Sequence, residues 1–424
     1  MKGGREEPSM APCYDEKETR PSRERLREQN ERLAEMIRIG YDASPYVKKV
    51  IDERGLTANA IKSVDDLEAL PVISREKLVS LETVRPPYGG LTHPTLVTDR
   101  IFTSPGPVYE PHLSEHELWH RGYCAAGFKP GDIVLNTFSY HMVAAGLTFH
   151  EGLRSVGATV VPSGTSGTET QVQLIRDLKV TGYTGTPSFL MAIIAKAGEL
   201  GFDFRNDFNL RRASFVAEPL QPSLRRRFED EYGIDTYQMY GATEVGDIAY
   251  ECHIKNGWHL CEDVIVEIID PATGMKVPSG QLGEVVVTRL NNKFFLFRFG
   301  TGDLSRIIEE PCPCGRTSCR LDGIAGRVGD AVKVRGLFIA PSQLNKLKEN
   351  FRNYLIQLVI TREDFRDRLT VRMASTDEIT SKEIALFDRV FQETCTIRPD
   401  DIEVTTTAEL EGDNSLIIDR REWK

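Results

Sequence analysis

One short polar stretch between two apolar runs carries residue types that bind nucleotides, in the string Tyr240-Gly241-Ala242-Thr243-Glu244. Glu244 offers a carboxylate that could hold a divalent cation beside phosphate, and Thr243 offers a hydroxyl. Tyr240 has a flat ring on which a base could stack. Gly241 lets the backbone turn tightly or approach a ligand closely. The alternative interpretation is an ordinary helix start with Thr243 as its N-cap.

Cysteine and histidine residues form a second chemical group, divided between two stretches of the chain. Cys252 and His259 flank a short loop, and Cys312 and Cys314 lie in the stretch EEPCPCGRTSCR. Three thiolates and one imidazole suit a structural zinc ion. The alternative is reduced thiols in loops, because the C-x-C spacing is tighter than the usual C-x2-C.

Two later segments place charged residues directly after glycine. Asp303 follows a Thr-Gly turn, where an aspartate can accept both hydroxyls of a ribose, and a simple turn cap is the alternative. In GRVGDAVKVRG, Arg327 and Asp330 make a plausible hinge. A polar turn between two domains would explain that segment equally well.

The elements that must position these residues alternate between strand and helix. Apolar runs predict strands at 133–138, 159–162, 182–184, 213–216 and 236–239, with helix signals between them. This alternation predicts an α/β fold with a mostly parallel sheet covered by helices. Ligands of such sheets bind beyond the carboxyl ends of the strands, and Tyr240 to Glu244 lies at one such end.

The pattern changes after the predicted sheet. From Val264 onward, short apolar strands predict a β-rich subdomain. The last part of the chain predicts a small separate α+β domain, with strands at 355–361, 369–373 and 402–406 and a helix at 381–395. We therefore expect two domains, at residues 1–329 and 330–424.

Composition limits the possible function classes. The 424 residues are 40% hydrophobic and 27% charged, which describes an ordinary globular protein. The net charge of −10 argues against a nucleic-acid surface. No apolar run has the length of a membrane span, and the first residues lack the apolar core of a secretory signal. Eight cysteines are too few for a disulfide framework, so we expect a cytoplasmic protein without nucleic-acid or membrane partners.

In their order and spacing, these motifs resemble the AMP-forming adenylating superfamily, and within it the phenylacetate-CoA ligase family. The resemblance covers nearly the whole chain and rests on VTGYTGTPSFL, VAEPL, YQMYGATEVG, FRFGTGDL, CPCGR and GRVGDAVKVRGLFIAPSQL. It implies a large N-terminal adenylate-forming domain, with the nucleotide and acyl sites, and a small mobile C-terminal lid domain. It also suggests a homodimer.

The resemblance implies a role for each matching residue. Thr243 and Glu244 would be catalytic, with Glu244 as the Mg²⁺ ligand, and Asp330 would be the hinge. The residues that would contact the nucleotide are Ala217, Glu218, Pro219, Tyr240, Gly241, Ala242, Asp303, Arg327 and Lys333. The residues that would form the acyl pocket are Phe138, Tyr140, Gly146, Thr184, Gly185, Thr186 and Pro187.

The implied reaction converts a carboxylate, ATP and coenzyme A into an acyl-CoA, AMP and pyrophosphate through an acyl-adenylate. The cofactors would be ATP or AMP, Mg²⁺ and coenzyme A, with zinc as a possible structural ion. Aromatic residues near the pocket fit either an aryl acid or a short acyl acid that is tightly enclosed.

Two departures from the family pattern keep other functions open. The family's phosphate loop ends in Lys-Pro, whereas Glu110 stands at the lysine position here, and Pro105 and Pro107 lack N–H groups. Asp413 stands where the family has a C-terminal catalytic lysine. The chain could therefore be an adenylation-impaired homologue that runs only the thioester half-reaction, or a non-catalytic protein that binds nucleotide or acyl-CoA.

Overall fold

The computed structural model describes residues 13–104, 107–113, 118–335, 337–363, 366–375, 379–410 and 415–421. The chain divides into two compact units. Unit 1 comprises Met1–Glu267, Val286–Thr301 and Ile308–Asp322, and unit 2 comprises Ile268–Val285, Gly302–Ile307 and Gly323–Lys424. The expected domain boundary between residues 329 and 330 stays a prediction.

The α-helices are α1 (Ser22–Ala43), α2 (Pro45–Glu53), α3 (Arg75–Val84), α4 (His120–Ala125), α5 (Ala145–Ser155), α6 (Thr168–Asp177), α7 (Pro187–Glu199), α8 (Phe204–Asp207), α9 (Pro222–Arg226), α10 (Pro341–Asn350) and α11 (Ser381–Cys395). Short 3₁₀ turns lie at Glu16–Thr19, Asp66–Ala69 and Thr407–Glu409, and a π-helical turn at Arg227–Glu231.

The strands up to residue 289 are β1 (Ile101–Ser104), β2 (Val108–Pro111), β3 (Ile133–Asn136), β4 (Thr159–Val161), β5 (Gly182–Gly185), β6 (Arg212–Phe215), β7 (Asp235–Ala242), β8 (Gly246–Glu251), β9 (Trp258–Leu260), β10 (Val264–Ile269) and β11 (Gly283–Arg289). The later strands are β12 (Phe299–Ser305), β13 (Ile307–Ile308), β14 (Arg320–Leu321), β15 (Gly326–Arg327), β16 (Val332–Val334), β17 (Leu337–Ile339), β18 (Leu355–Glu363), β19 (Arg366–Ala374), β20 (Asp401–Thr405) and β21 (Ile417–Asp419).

A nine-stranded sheet positions the candidate site, in the order β13-β14-β9-β8-β7-β6-β5-β3-β4. Strands β4, β3, β5, β6 and β7 pair in parallel, and β8 then pairs antiparallel to β7. The α/β fold with a mostly parallel sheet is thus confirmed. Another sheet has the order β10-β11-β12-β15, and β1 and β2 form a separate two-stranded sheet.

Helix α7 shows how the sequence sets these layers. Thr186 caps its N-terminus by accepting a hydrogen bond from Phe189 N, and Pro187 occupies the first turn. Its buried residues Leu190, Ile193, Ile194 and Ala197 recur at helical spacing, so they form one apolar face. That face packs in the same core as the strand residues Tyr183, Ala213 and Phe215.

Of the two N-terminal helices, α1 is longer than the sequence predicts and α2 is shorter. Apolar residues at helical spacing among charged residues predict a helix at 25–39, and α1 contains it. The sequence also predicts a second helical segment at 46–61, but α2 ends at Glu53 and Gly55 follows with a φ of 64°. Glycine in the left-handed region is a common end of helices.

Unit 2 contains the expected small α+β arrangement. Its sheet has the order β20-β19-β18-β21, in which β18 and β19 form an antiparallel hairpin. Strands β20 and β21 each join the hairpin in parallel. Helix α11 contributes Phe387, Phe391 and Cys395 to a core shared with Leu358 and Val371.

Within the described ranges, we find no helix with the length and apolar character that a membrane crossing needs.

Candidate active site

The Tyr240 to Glu244 stretch forms the end of a β-hairpin. Ala242 pairs with Gly246 across β7 and β8, so Thr243, Glu244 and Val245 make the turn between the strands. Val245 N donates to Ala242 O at 3.1 Å within this turn. The alternative of a helix start capped by Thr243 is therefore wrong. The turn places the exposed Thr243 next to the buried Glu244.

Gly241 is required by the close approach of two neighbours. A Cβ atom at this position would collide with the carbonyl oxygen of Gly246 and would lie 2.6 Å from Cη2 of Trp119. The close neighbours of Gly241 thus belong to the protein itself, and its approach to a ligand stays a prediction. Trp119 adopts the left-handed region with a φ of 69°, which is rare for a bulky residue.

A buried ion pair supports the hairpin turn from behind. The Arg289 guanidinium pairs with the Asp247 carboxylate, donates to Asp247 O at 2.9 Å and also donates to Val245 O. The same carboxylate accepts a hydrogen bond from Trp119 N at 3.1 Å. These contacts fix the path of the turn residues. The sequence does not predict these contacts, because Arg289 stands out only as a charged residue at the end of an apolar strand.

A cavity of about 210 Å³ in unit 1 lies against this turn. Three groups of lining residues follow carboxyl ends of parallel strands, namely Phe138 after β3, Ala217 after β6 and Thr243 after β7. Ligands of open α/β sheets bind at such ends. Much of the remaining wall is apolar, with Phe102, Leu118, Trp119, Phe149, Phe294 and Leu296.

A chain of polar contacts connects the turn with the hairpin of β1 and β2. The Arg75 guanidinium pairs with Glu244 and donates to Ser104 Oγ at 2.7 Å. Ser104 Oγ in turn donates to Oε1 of Glu110. Both Glu110 and Glu244 line the cavity. Arg75 and Ser104 were not among the predicted site residues.

Two carboxyl groups of this region have unusual proton affinities. Burial raises the pKa of Glu110 to about 7, and the charge of Glu244 adds to the shift. Burial also raises the pKa of Glu82 to about 7, although Glu82 accepts a hydrogen bond from Tyr109 N at 2.9 Å. Near neutral pH, both groups are therefore partly protonated.

The predicted nucleotide residues of unit 1 fall into different environments. Ala217 lines the cavity in the left-handed region, with a φ of 71°. Glu218 is exposed and accepts hydrogen bonds from Ser188 N and Ser188 Oγ, and Pro219 is exposed beside it. Tyr240 is buried, with its ring centroid 5.8 Å from that of Trp258.

Among the predicted acyl-pocket residues, Phe138 lines the cavity. The Tyr140 hydroxyl instead bonds with Asn136 at 2.8 Å and His150 at 3.1 Å, and Gly146 packs against Ser139. Thr184 shares a hydrogen bond of 2.9 Å with Tyr123.

The other three residues of this predicted pocket lie at the end of β5 and the start of α7. Gly185 packs against the hydroxyls of Thr137 and Tyr183, while Thr186 and Pro187 begin the helix. Their contacts to a substrate stay predictions.

Unit 2 holds the remaining predicted nucleotide and hinge residues. Asp303 and Arg327 pair across β12 and β15, with 3.2 Å between Oδ1 and Nε. The exposed Asp330 ends the turn that follows β15, and its N donates to Arg327 O at 3.0 Å. Lys333 lies in β16. Pro105, Gly106 and Asp413 lie outside the described residues.

The four predicted zinc ligands come together in unit 1. Ligand atoms of Cys252, His259, Cys312 and Cys314 all lie within 4.8 Å of one another, and all four residues are buried. Cys314 Sγ lies 3.3 Å from His259 Nε2, while His259 Nδ1 contacts Ser318 Oγ at 3.3 Å. Three sulfurs and one ring nitrogen in a closed, buried group fit a structural zinc ion.

The neighbouring cysteines do not join this group. Cys261 is buried, but its thiol donates to Asp247 at 3.4 Å, and Cys319 is exposed. Contacts within the ligand group hold the pKa of Cys314 far below its usual range, first because the Cys252 thiol donates to it and then because of His259. The protein itself therefore favours the thiolate form of Cys314.

Comparison with known proteins identifies relatives of this chain. The family model described as AMP-binding enzyme matches residues 113–292. The chain is 30% identical over 377 residues to a phenylacetate-coenzyme A ligase of Thermus thermophilus. This match covers 84% of this chain and 83% of that protein. It is 32% identical over 348 residues to a phenylacetate-coenzyme A ligase of Pseudomonas putida, covering 78% and 77%.

A solved structure extends the likeness in fold to almost the whole chain. An open conformation of 2-hydroxyisobutyryl-CoA ligase, in complex with 2-HIB-AMP and CoA, matches with a TM-score of 0.80. The match covers 98% of this chain and 97% of that one at 23% sequence identity.

Proposed function

Because the chain belongs to the phenylacetate-coenzyme A ligase family of AMP-forming enzymes, we propose that the cavity of unit 1 is where it activates a small carboxylic acid. The single observation that carries this proposal is the position of the Thr243–Glu244 turn. It lines the same cavity as Ala217 and Phe138, all beyond the carboxyl ends of parallel strands. The cavity thus offers polar groups for phosphate beside an apolar wall for the acyl group.

The reaction has two half-reactions. First, a carboxylate oxygen of the acid attacks the α-phosphorus of ATP, an oxygen–phosphorus bond forms, and the bond to the departing pyrophosphate breaks. The thiol sulfur of coenzyme A then attacks the carbonyl carbon of the adenylate. The carbon–sulfur bond forms as AMP leaves, and the thiol proton passes to solvent. The hydroxyl of Thr243 would donate to the phosphate oxygens and stabilise their charge.

Glu244 would hold the magnesium ion that accompanies ATP. Its buried carboxylate lines the cavity and already pairs with a cation, the guanidinium of Arg75. Carboxylate and hydroxyl oxygens are the donors that Mg²⁺ prefers, so Glu244 and Thr243 fit it. When bound, the ion would neutralise charge on the phosphates.

Asp303 and Arg327 would bind the ribose and phosphate groups, in line with the resemblance. Their present ion pair would then exchange for contacts with the nucleotide. Asp330 would be the hinge about which residues 330–424 move between the two half-reactions, because each step needs different groups at one site. The homodimer and the nucleotide role of Lys333 stay predictions.

We also propose that Cys252, His259, Cys312 and Cys314 hold a structural zinc ion. The ion would join the loop after β8 to the loop before β14. With four protein ligands, it would have no open position for substrate.

A second candidate function follows from Glu110. Its carboxyl group lines the cavity at the place where the family has a lysine. A protein with this change could bind an adenylate or acyl-CoA and run only the thioester half-reaction.

Pyrophosphate release tests the proposed function. We would measure release from Mg-ATP with a panel of small aromatic and short-chain acids, with and without coenzyme A. We expect release with at least one acid, and formation of its thioester when coenzyme A is present. The variant Glu244→Gln, which keeps the size of the side chain, should lose adenylation. Absence of release with every acid, together with hydrolysis or thioester formation from a supplied acyl-adenylate, would instead support the second candidate.

A further inference from the structure

Glu110 belongs to the face of the β1–β2 hairpin that is turned into the cavity. The strands alternate between exposed and buried residues, and Glu110 pairs directly with Phe102 across the hairpin. Both residues line the cavity, and each is only 4% exposed. The Glu110 carboxyl is therefore held on a short, paired strand and points into the substrate space.

Only one oxygen of this carboxyl is used by the protein. Oε1 accepts the hydrogen bond from Ser104 Oγ. Oε2 is buried and has no hydrogen-bond partner among the described residues. A buried acceptor without a partner is costly, and native structures normally supply one from protein, water or ligand.

Part of the cavity wall has no hydrogen-bond donor to offer this oxygen. That part includes Phe102, which pairs with Glu110 across the hairpin, and the ring faces of Trp119, Phe138 and Phe149. The indole N–H of Trp119 is already bonded to Thr148 Oγ1 at 3.2 Å. A bound acid would therefore meet an unpartnered hydrogen-bond acceptor beside the apolar part of the wall.

Two other occupants fit this position less well. A phosphate oxygen would be repelled by the ionised form of the Glu110 carboxyl group. A metal ion shared with Glu82 and Glu244 lacks the geometry, because the described residues contain one group of three or more close metal-type ligands, and that group is the cysteine and histidine cluster. The occupant that fits this position is therefore a neutral or cationic hydrogen-bond donor.

We propose that Glu110 accepts a hydrogen bond from a hydroxyl or amino group on the carbon skeleton of the acid, and so makes the enzyme specific for acids that carry such a donor. The inference rests on the proposed function, since the cavity must hold the acid. A site built to bond a substrate donor rejects the analogue without it, because the buried acceptor is then left unpaired. We expect a preference of at least about 100-fold in kcat/KM.

Matched acids test the preference directly. We would compare benzoate with its hydroxy, amino and methoxy derivatives, and propionate with its hydroxy and amino derivatives, by pyrophosphate release. The wild type should prefer the hydroxy or amino acids, and the comparison of these two classes shows which donor it takes. Methoxy acids keep the oxygen of the substituent but lose its donor, so they should be as poor as the unsubstituted acids. Equal or better use of unsubstituted acids would overturn the inference while leaving the proposed function intact.

Substitutions then assign the preference to Glu110. Glu110→Leu should remove the difference between donor and unsubstituted acids, and should raise the use of unsubstituted acids relative to the wild type. Glu110→Gln is the conservative second variant, and its amide N–H should improve the use of methoxy acids. Phe102→Leu changes the wall residue paired with Glu110 but leaves the acceptor in place. The rates with donor acids and with unsubstituted acids should therefore fall together, and the ratio of the two rates should not change. A ratio that persists in Glu110→Leu and Glu110→Gln would contradict the inference.

Binding gives a readout that does not depend on turnover. Isothermal titration calorimetry of the same acids should show the same preference in Kd for the wild type and its loss in Glu110→Leu. If no acid releases pyrophosphate, the proposed function fails, and the calorimetric preference alone decides whether Glu110 selects a donor.

Discussion

At the scale of single residues, the buried carboxyl groups around Arg75 set an unusual charge balance. Glu82, Glu110 and Glu244 influence one another electrostatically, and Arg75 bonds to Glu244 and Ser104. With all three carboxyl groups ionised, one guanidinium would face three negative charges. Protonation of Glu82 and Glu110 relieves this imbalance.

This balance predicts how stability depends on pH. The pKa values of Glu82 and Glu110 rise from 4.5 to about 7 on folding, mainly because of burial. Between these values the folded state holds protons that the unfolded state has released. The stability that Glu82 and Glu110 contribute through these bound protons is therefore fully present below about pH 4.5. It is lost as the pH rises through 7.

Urea midpoints from pH 4.5 to 8 measure this effect. Glu110→Gln should reduce the decrease of the urea midpoint between pH 4.5 and 7. The exposed control Glu31→Gln should leave that decrease unchanged. A Glu110→Gln protein with the wild-type slope would show that Glu110 ionises normally.

Residue types and order singled out Thr243, Glu244 and Phe138, which the structure brings to one cavity. Arg75, Trp119 and Arg289 were missed because their contacts join distant parts of the chain. Arg75 directly follows the capping residue Ser74, so its sequence context describes only a helix start. Its partner Glu244 is 169 residues away, and no local pattern indicates that pair.

At the scale of elements, the cysteine and histidine group joins two loops that have little other regular structure. Cys252 directly follows β8, and Cys312 and Cys314 lie between the short strands β13 and β14. Such loops make few backbone ladder bonds, so a bound ion would supply much of their order.

Removal of zinc should therefore destabilise the protein. We expect about one zinc ion per chain in the purified protein, and a loss on the order of several kcal/mol in stability after chelation or in Cys312→Ser. Metal analysis and thermal melting measure both quantities. The matched control is Cys319→Ser, which changes an exposed cysteine outside the group. Wild-type zinc content in Cys312→Ser, or a melting temperature unaffected by chelation, would refute the site.

Strand and helix periodicity predicted the parallel sheet well, because each of its elements has a local apolar pattern. The Tyr240 to Glu244 stretch was harder to place. A threonine followed by a glutamate suits a helix cap as well as a turn. The antiparallel pairing of β8 with β7 decides between them, and pairing is a property of two segments together.

At the scale of the whole molecule, unit 1 joins the start of the chain to its later part. Glu18 and Arg316 form an ion pair of 3.0 Å in which both side chains are fully buried. Arg25 pairs with Glu262 at 3.0 Å in the same region. Both pairs join the N-terminal segment to residues far along the chain, so no local sequence pattern indicates them.

Loss of the Glu18 carboxylate should be costly. Glu18→Gln removes the carboxylate that pairs with the buried guanidinium of Arg316, and breaking a buried ion pair typically costs about 3–5 kcal/mol. Denaturant unfolding measures the loss. The exposed neighbour Glu16 provides the control, because Glu16→Gln should change stability by less than about 0.5 kcal/mol. Equal stability of the two variants would mean that the buried pair is energetically neutral.

The division into two compact units rests on contacts between distant segments of the chain. Residues 268–285 and 302–307 belong to unit 2 although they precede the expected boundary. Their strand patterns resemble those of adjacent segments in unit 1. Membership in a unit depends on contacts between distant segments, which periodicity does not report.

The buried contacts of the N-terminal segment also limit how the protein can fold during its synthesis. Thr317 N donates to Glu18 O at 2.9 Å, and these two residues are 299 positions apart. At about 5–20 residues per second, a ribosome needs on the order of 15–60 s to make the intervening chain. Throughout that time Glu18 cannot reach Arg316 or Thr317, and its segment must stay available outside the exit tunnel. Completion of unit 1 is thus a late event of translation, and slow decoding before codon 317 would lengthen the period in which the nascent chain depends on chaperones.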